Sequence, residues 1–197
     1  MSDLIFREKG HVYMLDGEQL PSVSDLCRFL HREIYKDAPK WRMETAAERG
    51  TAVHGATEEL DRIGRVEIAE EYLPYIKAYK AFLQKHLVSW SMIEKAFYHP
   101  ALRYAGTIDR YGQIDGKTAL VDIKTTSQLY NPLCKAQTNL YRLLLIANGF
   151  PVDRLYILHL KRDGKFRLAP MDQDEPLAYA LITLHNALSK KRRKRNE

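Results

Sequence analysis

The stretch GTIDRYGQIDGKTALVDIKT, residues 106–125, decides which fold this chain adopts. Two runs of strand-forming residues, 105–114 and 118–125, flank the dipeptide Asp115-Gly116, which is typical of a tight hairpin turn. A third run of the same kind, at 90–98, precedes them in the chain. We therefore predict an antiparallel meander of three consecutive strands.

Helical patterns dominate the chain before the meander. Residues 4–15 alternate as a strand and, with a turn at Asp16-Gly17, predict a β-hairpin at the start of the chain. A helix beginning within residues 21–25, with Ser22 or Ser24 as its cap, follows the hairpin. Apolar residues at helical spacing predict two longer helices, at about 39–63 and 70–87.

After the meander, the pattern predicts a helix, a hairpin and a closing amphipathic helix. The first helix ends at the stop signal Gly149-Phe150-Pro151, and the hairpin turns at Asp163-Gly164. The first helix is predicted from the helical spacing of Leu133, Ala136, Gln137, Leu140, Tyr141 and Leu144. The hairpin is predicted from the runs 155–160 and 165–168, and the closing helix from Leu177, Leu181, Leu184 and Leu188. The order of elements predicts an α/β or α+β domain, with a mixed central β-sheet flanked by helices.

We expect a single domain over residues 1–189, with the N-terminal hairpin and helices in 1–88 and the sheet with its helices in 89–189. Residues 190–197 form a basic tail. This tail holds six basic and one acidic side chain of a chain with net charge +6, which leaves 25 basic against 24 acidic elsewhere. The tail is either a solvated chain end or a segment that binds phosphate groups non-specifically.

Composition excludes several other classes of protein. With 45% hydrophobic and 28% charged residues the chain is typical of a globular protein, and no apolar run is long enough to span a bilayer. Because the first residues turn charged before an apolar segment forms, we expect no secretion signal and a cytoplasmic location. Cys27 and Cys134 are far apart, so we expect two core-packed thiols and neither a disulfide framework nor an iron–sulfur cluster.

The tripeptide D-x-K occurs three times, and only Asp122-Ile123-Lys124 falls within a predicted strand. Residues i and i+2 of a strand share a face, so Asp122 and Lys124 point the same way. The turn folds Asp109 of the preceding strand back beside Asp122. Two converging carboxylates repel unless they share a proton or bind a divalent cation, and the nearby lysine favours a cation with an anionic substrate. A buried Asp–Lys ion pair, with Asp109 capping a loop, is the structural alternative.

These residues resemble the signature of the PD-(D/E)XK nuclease superfamily, an acid on one strand followed by D/E-x-K on the next. The segments 106–110 and 121–125 are similar to the G-x-x-D and D-x-K-T motifs of its RecB-type and phage-exonuclease branch. That branch also carries a histidine on an upstream helix, matched by His54, and Q-x-x-x-Y on the following helix, matched by Gln137 and Tyr141. The resemblance implies a restriction-endonuclease-like core.

The resemblance implies a centre that binds Mg²⁺ or Mn²⁺. Its metal ligands would be His54, Asp109, Asp122 and the backbone carbonyl of Ile123. Lys124 would orient or deprotonate the attacking water and stabilise the charge that develops on the phosphate.

Gln137 and Tyr141 complete the predicted catalytic set, and Glu58 and Glu94 are candidates for supporting roles. Gln137 and Tyr141 share a helix face suited to positioning the lysine, the water or the phosphate backbone, although core packing of Tyr141 is an alternative. Glu58 stands one helical turn after His54 and would support it. Glu94, on the first strand of the meander, would orient Lys124 or His54.

The resemblance implies a Mg²⁺/Mn²⁺-dependent deoxyribonuclease, an exonuclease of phage or recombination and repair type, in a bacterial or phage-infected cell. A structure-specific endonuclease, an RNA-directed hydrolase and a non-catalytic nucleic-acid-binding module on the same fold are the alternatives. Two cysteines exclude the subgroup with a four-cysteine iron–sulfur cluster. No G-x-x-x-x-G-K-[ST] motif occurs, so DNA unwinding would require a partner helicase or recombination protein. The oligomeric state stays open.

Overall fold

The computed structural model of this chain describes residues 4–7, 10 and 12–196, of which 190–196 are described as backbone only. The predicted basic tail, residues 190–197, therefore lies outside the described side chains, and its role in binding stays a prediction.

A small antiparallel sheet precedes the helices. Its strands β1 (Leu4–Arg7), β2 (Val12–Leu15) and β3 (Glu18–Leu20) lie in the order β1-β2-β3. The turn at Asp16-Gly17 joins β2 to β3 as predicted, because Leu15 pairs with Glu18. The prediction of one strand over 4–15 is wrong, since β1 and β2 are two strands separated by a turn at Gly10. The alternation of side chains continues on both sides of that turn, so the pattern alone did not reveal it.

Four helices and a short 3-10 turn follow. They are α1 (Val23–Leu26), α2 (Arg28–Tyr35), α3 (Lys40–Ile63), the 3-10 turn Glu70–Tyr72 and α4 (Leu73–Lys85). Ser22 caps α1 as predicted, because its hydroxyl accepts from the Asp25 N–H while the Asp25 carboxylate accepts from the Ser22 N–H. The helix predicted at 39–63 is confirmed as α3. Helix α2 was not predicted: Leu30, Ile34 and Tyr35 pack against the core, but the helix spans only eight residues, too few for the apolar spacing to repeat more than once.

The main sheet has five strands in the order β4-β5-β6-β7-β8. Strands β4 (Val88–Tyr98), β5 (Ala105–Ile114) and β6 (Lys117–Lys124) form the predicted antiparallel meander. Helix α5 (Asn131–Ala147) crosses over to β7 (Arg154–Leu160), which runs parallel to β6, and β8 (Phe166–Met171) pairs antiparallel to β7. Helix α6 (Glu175–Asn196) closes the chain. The predicted mixed sheet flanked by helices is therefore confirmed.

The two faces of this sheet have different covers. Leu120 belongs to the core cluster that contains Leu144 of α5, whereas Val121 belongs to the cluster that contains Val53 of α3 and Phe82 of α4. Side chains alternate along β6, so Asp122 and Lys124 face the same side as Leu120. None of the helices in the described ranges is long and apolar enough to cross a membrane. Both cysteines are buried free thiols, as predicted.

A glycine in β5 makes room for an irregularity in β4. The register between the strands shifts between Trp90 and Met92, and Gly112 lies opposite Trp90. A Cβ atom at Gly112 would lie 2.1 Å from the Ser89 carbonyl oxygen and 2.8 Å from the Trp90 Cα atom. Both neighbours are backbone atoms, so they cannot move away by a change of rotamer as a side chain could.

We expect Gly112→Ala to lower the free energy of unfolding by about 3 kcal/mol, at the upper end of overpacking costs, because a strand must move. Urea denaturation followed by circular dichroism measures the change. Gly50→Ala, inside α3, is the matched control: no described atom lies within 4 Å of its Cβ position, so it should stabilise by about 0.5–1 kcal/mol. Equal stability of Gly112→Ala and the wild type would contradict the close approach.

Candidate metal centre

The site lies where β5 and β6 separate. Their backbone pairing runs from Ile114 to Arg110, which lies opposite Val121. One residue further along β5, the Asp109 side chain replaces the backbone as the partner of β6: its Oδ2 accepts a hydrogen bond of 2.7 Å from the Ile123 N–H. Asp109 is 8% exposed. The hairpin therefore folds Asp109 beside β6, and the carboxylate binds a strand residue rather than capping a loop.

Asp122 and Lys124 form a close ion pair on one face of β6. Lys124 Nζ lies 2.7 Å from Asp122 Oδ2, and the Asp122 side chain is almost completely buried. The angular geometry falls short of a hydrogen bond, so Oδ2 has no hydrogen-bond partner among the described residues. Burial raises the pKa of Asp122, and the nearby charge of Asp109 adds to this, while Lys124 opposes it. One buried carboxylate oxygen is thus left with capacity for a further ligand.

His54, on α3, reaches into the gap between β5 and β6. Its Nε2 atom donates to the Ile123 carbonyl oxygen at 3.1 Å, because a carbonyl can only accept. Its Nδ1 atom lies 3.5 Å from Glu94 Oε1 and 3.6 Å from Asp109 Oδ2. Burial acts to lower the pKa of His54, but the charge of Asp109 and the interactions with Glu94 outweigh it and raise the pKa to about 9.

Glu94 joins the cluster through an unusual backbone conformation. Its φ of +45° lies in the left-handed region, which a residue other than glycine occupies at a cost of about 1–3 kcal/mol. Ligand atoms of His54, Glu94 and Asp109 lie within 4.8 Å of one another. Sequence patterns predicted only a supporting role for Glu94, because a left-handed residue inside a strand does not change the alternation of apolar and polar residues.

A buried arginine holds Glu94 in place. The Arg110 side chain is fully buried, and its Nη1 atom donates to Glu94 Oε1 at 3.0 Å and to the Asp109 carbonyl at 2.7 Å. Nη2 donates to the Thr57 hydroxyl at 3.1 Å, and Nε donates to Asp61 Oδ2 at 2.7 Å. Arg110 is therefore a positioning residue that links the acidic cluster to α3. Sequence analysis did not assign it a role.

The same network continues away from the cluster. Tyr79 of α4 donates to Asp61 Oδ2 at 2.6 Å, and the Trp90 indole N–H donates to the Tyr79 hydroxyl at 3.2 Å. Asp61 thus accepts from both Arg110 and Tyr79 at one oxygen. A charged residue every few positions on a long helix predicts a solvated face, so the sequence did not single out Asp61.

Of the two predicted residues of α5, Tyr141 lies within electrostatic range of Asp122 and Asp109, and Gln137 stands one helical turn before it. Gln137 Oε1 is buried and has no hydrogen-bond partner among the described residues. Burial raises the pKa of Tyr141, and the charges of Asp122 and Asp109 raise it further. A Cβ atom at Gly106 would lie 2.8 Å from the Tyr141 ring. The glycine of the G-x-x-D motif therefore leaves room for this tyrosine.

Glu58 does not reach the cluster within the described part of the chain. Its carboxylate accepts from Arg62 Nε at 2.9 Å, on a partly exposed stretch of α3. The predicted support of His54 by Glu58 is replaced by the support that Glu94 gives.

The residues that come together in the structure are not the full set of predicted metal ligands. The atoms that converge are those of His54, Glu94 and Asp109, whereas Asp122 pairs with Lys124 and the Ile123 carbonyl accepts from His54. Carboxylate oxygens with one imidazole suit Mn²⁺, and Mg²⁺ to a lesser extent. The donor set therefore fits the predicted divalent cation.

Comparisons with known proteins give no functional assignment. None of the protein-family models matches the chain, and no curated protein matches it either. A solved structure described as "Crystal structure of SSO0001" aligns over 85% of this chain and 75% of its own length, with 17% identity and a TM-score of 0.48. A likeness at this level supports no inference about function.

We expect Asp61→Asn to lower the free energy of unfolding by about 3 kcal/mol, the lower end of the cost of breaking a buried ion pair, because the guanidinium of Arg110 loses one of its two carboxylate partners and keeps only Glu94. Chemical denaturation measures this change. Glu58→Gln, one turn away on α3, removes a carboxylate from a partly exposed pair and should cost less than about 1 kcal/mol. Similar losses from the two variants would refute the assignment of Arg110 and Asp61 as the buried anchor.

Proposed function

We propose that this protein is a divalent-metal-dependent nuclease that hydrolyses phosphodiester bonds in DNA, most simply as an exonuclease. The observation that carries the proposal is that the buried Asp109 carboxylate, grouped with His54 and Glu94, lies beside the buried ion pair of Asp122 and Lys124 at the point where β5 and β6 separate. An ion pair of Asp122 with Lys124 that served only the stability of the fold would not require the Asp109 carboxylate as well. The residues are also those of the PD-(D/E)XK resemblance, which supports a restriction-endonuclease-like core.

His54, Glu94 and Asp109 would hold the cation, while Asp122 stays paired with Lys124. A bound Mg²⁺ or Mn²⁺ supplies a water of lowered pKa and neutralises charge on the scissile phosphate. Arg110 keeps Glu94 oriented for this task through its 3.0 Å contact.

Lys124 is the group best placed to act on the attacking water. Its side chain is 24% exposed, so part of it is open to solvent, while the pairing with Asp122 fixes the direction of the ammonium. There it orients the water and offsets the negative charge that develops on the phosphate oxygens. The unpartnered Oε1 of Gln137 is an acceptor for a proton of that water or of the ammonium.

The resemblance implies that attack on phosphorus breaks the bond to the 3′ oxygen and leaves a 5′-phosphate and a 3′-hydroxyl. The proposed setting is the cytoplasm of a bacterial or phage-infected cell. A partner helicase or recombination protein would present the DNA there.

We expect Asp122→Asn and Lys124→Gln each to reduce DNA cleavage by roughly 10²–10⁴-fold, because each removes a group that acts on the water or the cation. The assay uses end-labelled linear, circular and single-stranded DNA, with RNA as a further substrate. Asp163→Asn and Lys165→Gln, from the exposed Asp163-Gly164-Lys165 turn, repeat the same chemical changes outside the site and should keep full activity. Near-wild-type turnover by a folded Lys124→Gln variant would rule out the active-site assignment, and cleavage of RNA alone would replace the proposed substrate.

We expect EDTA to stop cleavage and Mn²⁺ to restore it at least as well as Mg²⁺, because Mn²⁺ accepts an imidazole ligand more readily. Calorimetric titration with Mn²⁺ should show weaker binding to Glu94→Gln than to the wild type, by about 10- to 100-fold. Glu58→Gln serves as the control, since its carboxylate lies away from the cluster. Full activity in the chelator would exclude the metal-dependent mechanism.

A further inference from the structure

A row of basic side chains crosses three strands, starting at Lys124. Lys124 of β6 lies directly opposite His159 of β7, and His159 lies directly opposite Arg167 of β8. Paired residues of neighbouring strands project from the same face of a sheet. The row therefore leads from the proposed catalytic lysine towards the β8 edge of the sheet.

On the same face, the two rows before this one are apolar on β7 and β8, and Asp122 of β6 is their one charged member. Ile157 lies between Asp122 and Ala169, and Leu155 lies between Leu120 and Met171. These apolar side chains are covered by the core beneath α5. The change from an apolar to a basic row thus coincides with the end of the region that the helix covers.

A cavity of about 520 Å³ lies at this end of the sheet, within the range of about 300–1,000 Å³ that ligand pockets occupy. Its sheet side is formed by His159, Lys161 and Arg167, and its other side by the segment 127–132 that leads from β6 into α5. No carboxylate is among the described residues that line it. Its charge therefore favours an anion.

The wall of this cavity is fixed to the proposed active site. His159 is only 5% exposed, and its Nε2 atom donates to the Thr126 carbonyl oxygen at 2.6 Å. Thr126 comes two residues after Lys124. This hydrogen bond therefore holds the segment between the catalytic strand and the cavity in one position, whereas Lys161 and Arg167 are exposed and reach the cavity with their charged ends.

We propose that this cavity binds a phosphate of the substrate DNA strand, a few nucleotides from the phosphate that is cleaved at Lys124. The proposal rests on the proposed nuclease function. Neighbouring strands are about 4.8 Å apart, so Arg167 lies roughly 10 Å from Lys124 along the row. Arg167 offers a planar fork that matches two phosphate oxygens, and Lys161 adds a mobile point charge. The phosphate is either internal to the strand or the monoester at its end.

The test measures DNA binding in EDTA, where the proposed chemistry cannot proceed. Single-stranded oligonucleotides with a 5′-phosphate, a 3′-phosphate or two hydroxyl ends are titrated by fluorescence anisotropy over a range of salt concentrations. The variant is Lys161→Gln with Arg167→Gln. The matched control is Arg162→Gln with Lys165→Gln, which makes the same change of charge on the neighbouring turn, outside the lining of the cavity.

We expect the cavity variant to bind about tenfold more weakly, and its plot of log K against log salt to be shallower by about 0.7 for each phosphate lost. The control should change affinity less than about twofold. Arg167→Lys alone should give an affinity between the wild type and the cavity variant, since it keeps the charge but loses the fork that matches two phosphate oxygens. A loss confined to one phosphorylated end assigns the terminal monoester, whereas an equal loss on all three oligonucleotides assigns an internal phosphate.

Two results would overturn the phosphate subsite. If the cavity variant binds like the wild type, or if the control pair weakens binding as much, the cavity has no role of its own. Cleavage assays distinguish failure of the phosphate subsite from failure of the proposed nuclease function. A wild type that cleaves DNA while the cavity variant equals the control leaves the nuclease intact and removes only the subsite, whereas a wild type that neither binds nor cleaves DNA removes both.

Discussion

The hydrogen bonds of the Ile123 backbone determine how this site is built. Where β5 leaves β6, the Ile123 N–H and carbonyl lose a strand partner, and a buried backbone group without one is costly. The Asp109 carboxylate accepts from the N–H at 2.7 Å, and the His54 ring donates to the carbonyl at 3.1 Å. The same two side chains that complete the strand are those proposed to bind the cation, so the fold and the site share their central contacts.

The charges around this gap are balanced within the core. Asp109, Asp122 and Glu94 face His54, Lys124 and Arg110, and each carboxylate has a cation within 4 Å. Buried charges of this kind contribute little net stability, and removing one partner is far more costly than the pair is favourable. Such an arrangement, together with a left-handed Glu94, is typical of a site that is held ready for a ligand at the expense of stability.

The sequence predicted the parts of this fold that depend on local patterns. The Asp115-Gly116 turn fixed the meander, and alternation along β6 placed Asp122 and Lys124 on one face. Helix α3 was predicted at 39–63, and the structure ends it there, with Gly64 in the left-handed conformation as its cap. In contrast, the split of residues 4–15 into β1 and β2 was missed, because a turn that keeps the alternation in phase leaves the pattern unchanged.

By itself, the sequence determined the strands, the long helices and the position of the Asp109, Asp122 and Lys124 side chains relative to one another, because turn chemistry and residue periodicity are local. Only the tertiary structure decided that Glu94 joins the cluster, and that Arg110 is anchored by Asp61, a residue 49 positions earlier in the chain. Alternation shows that Arg110 and Asp109 leave β5 on opposite faces, but not which helix covers each face. That choice is made by packing across the whole sheet, which no local pattern records.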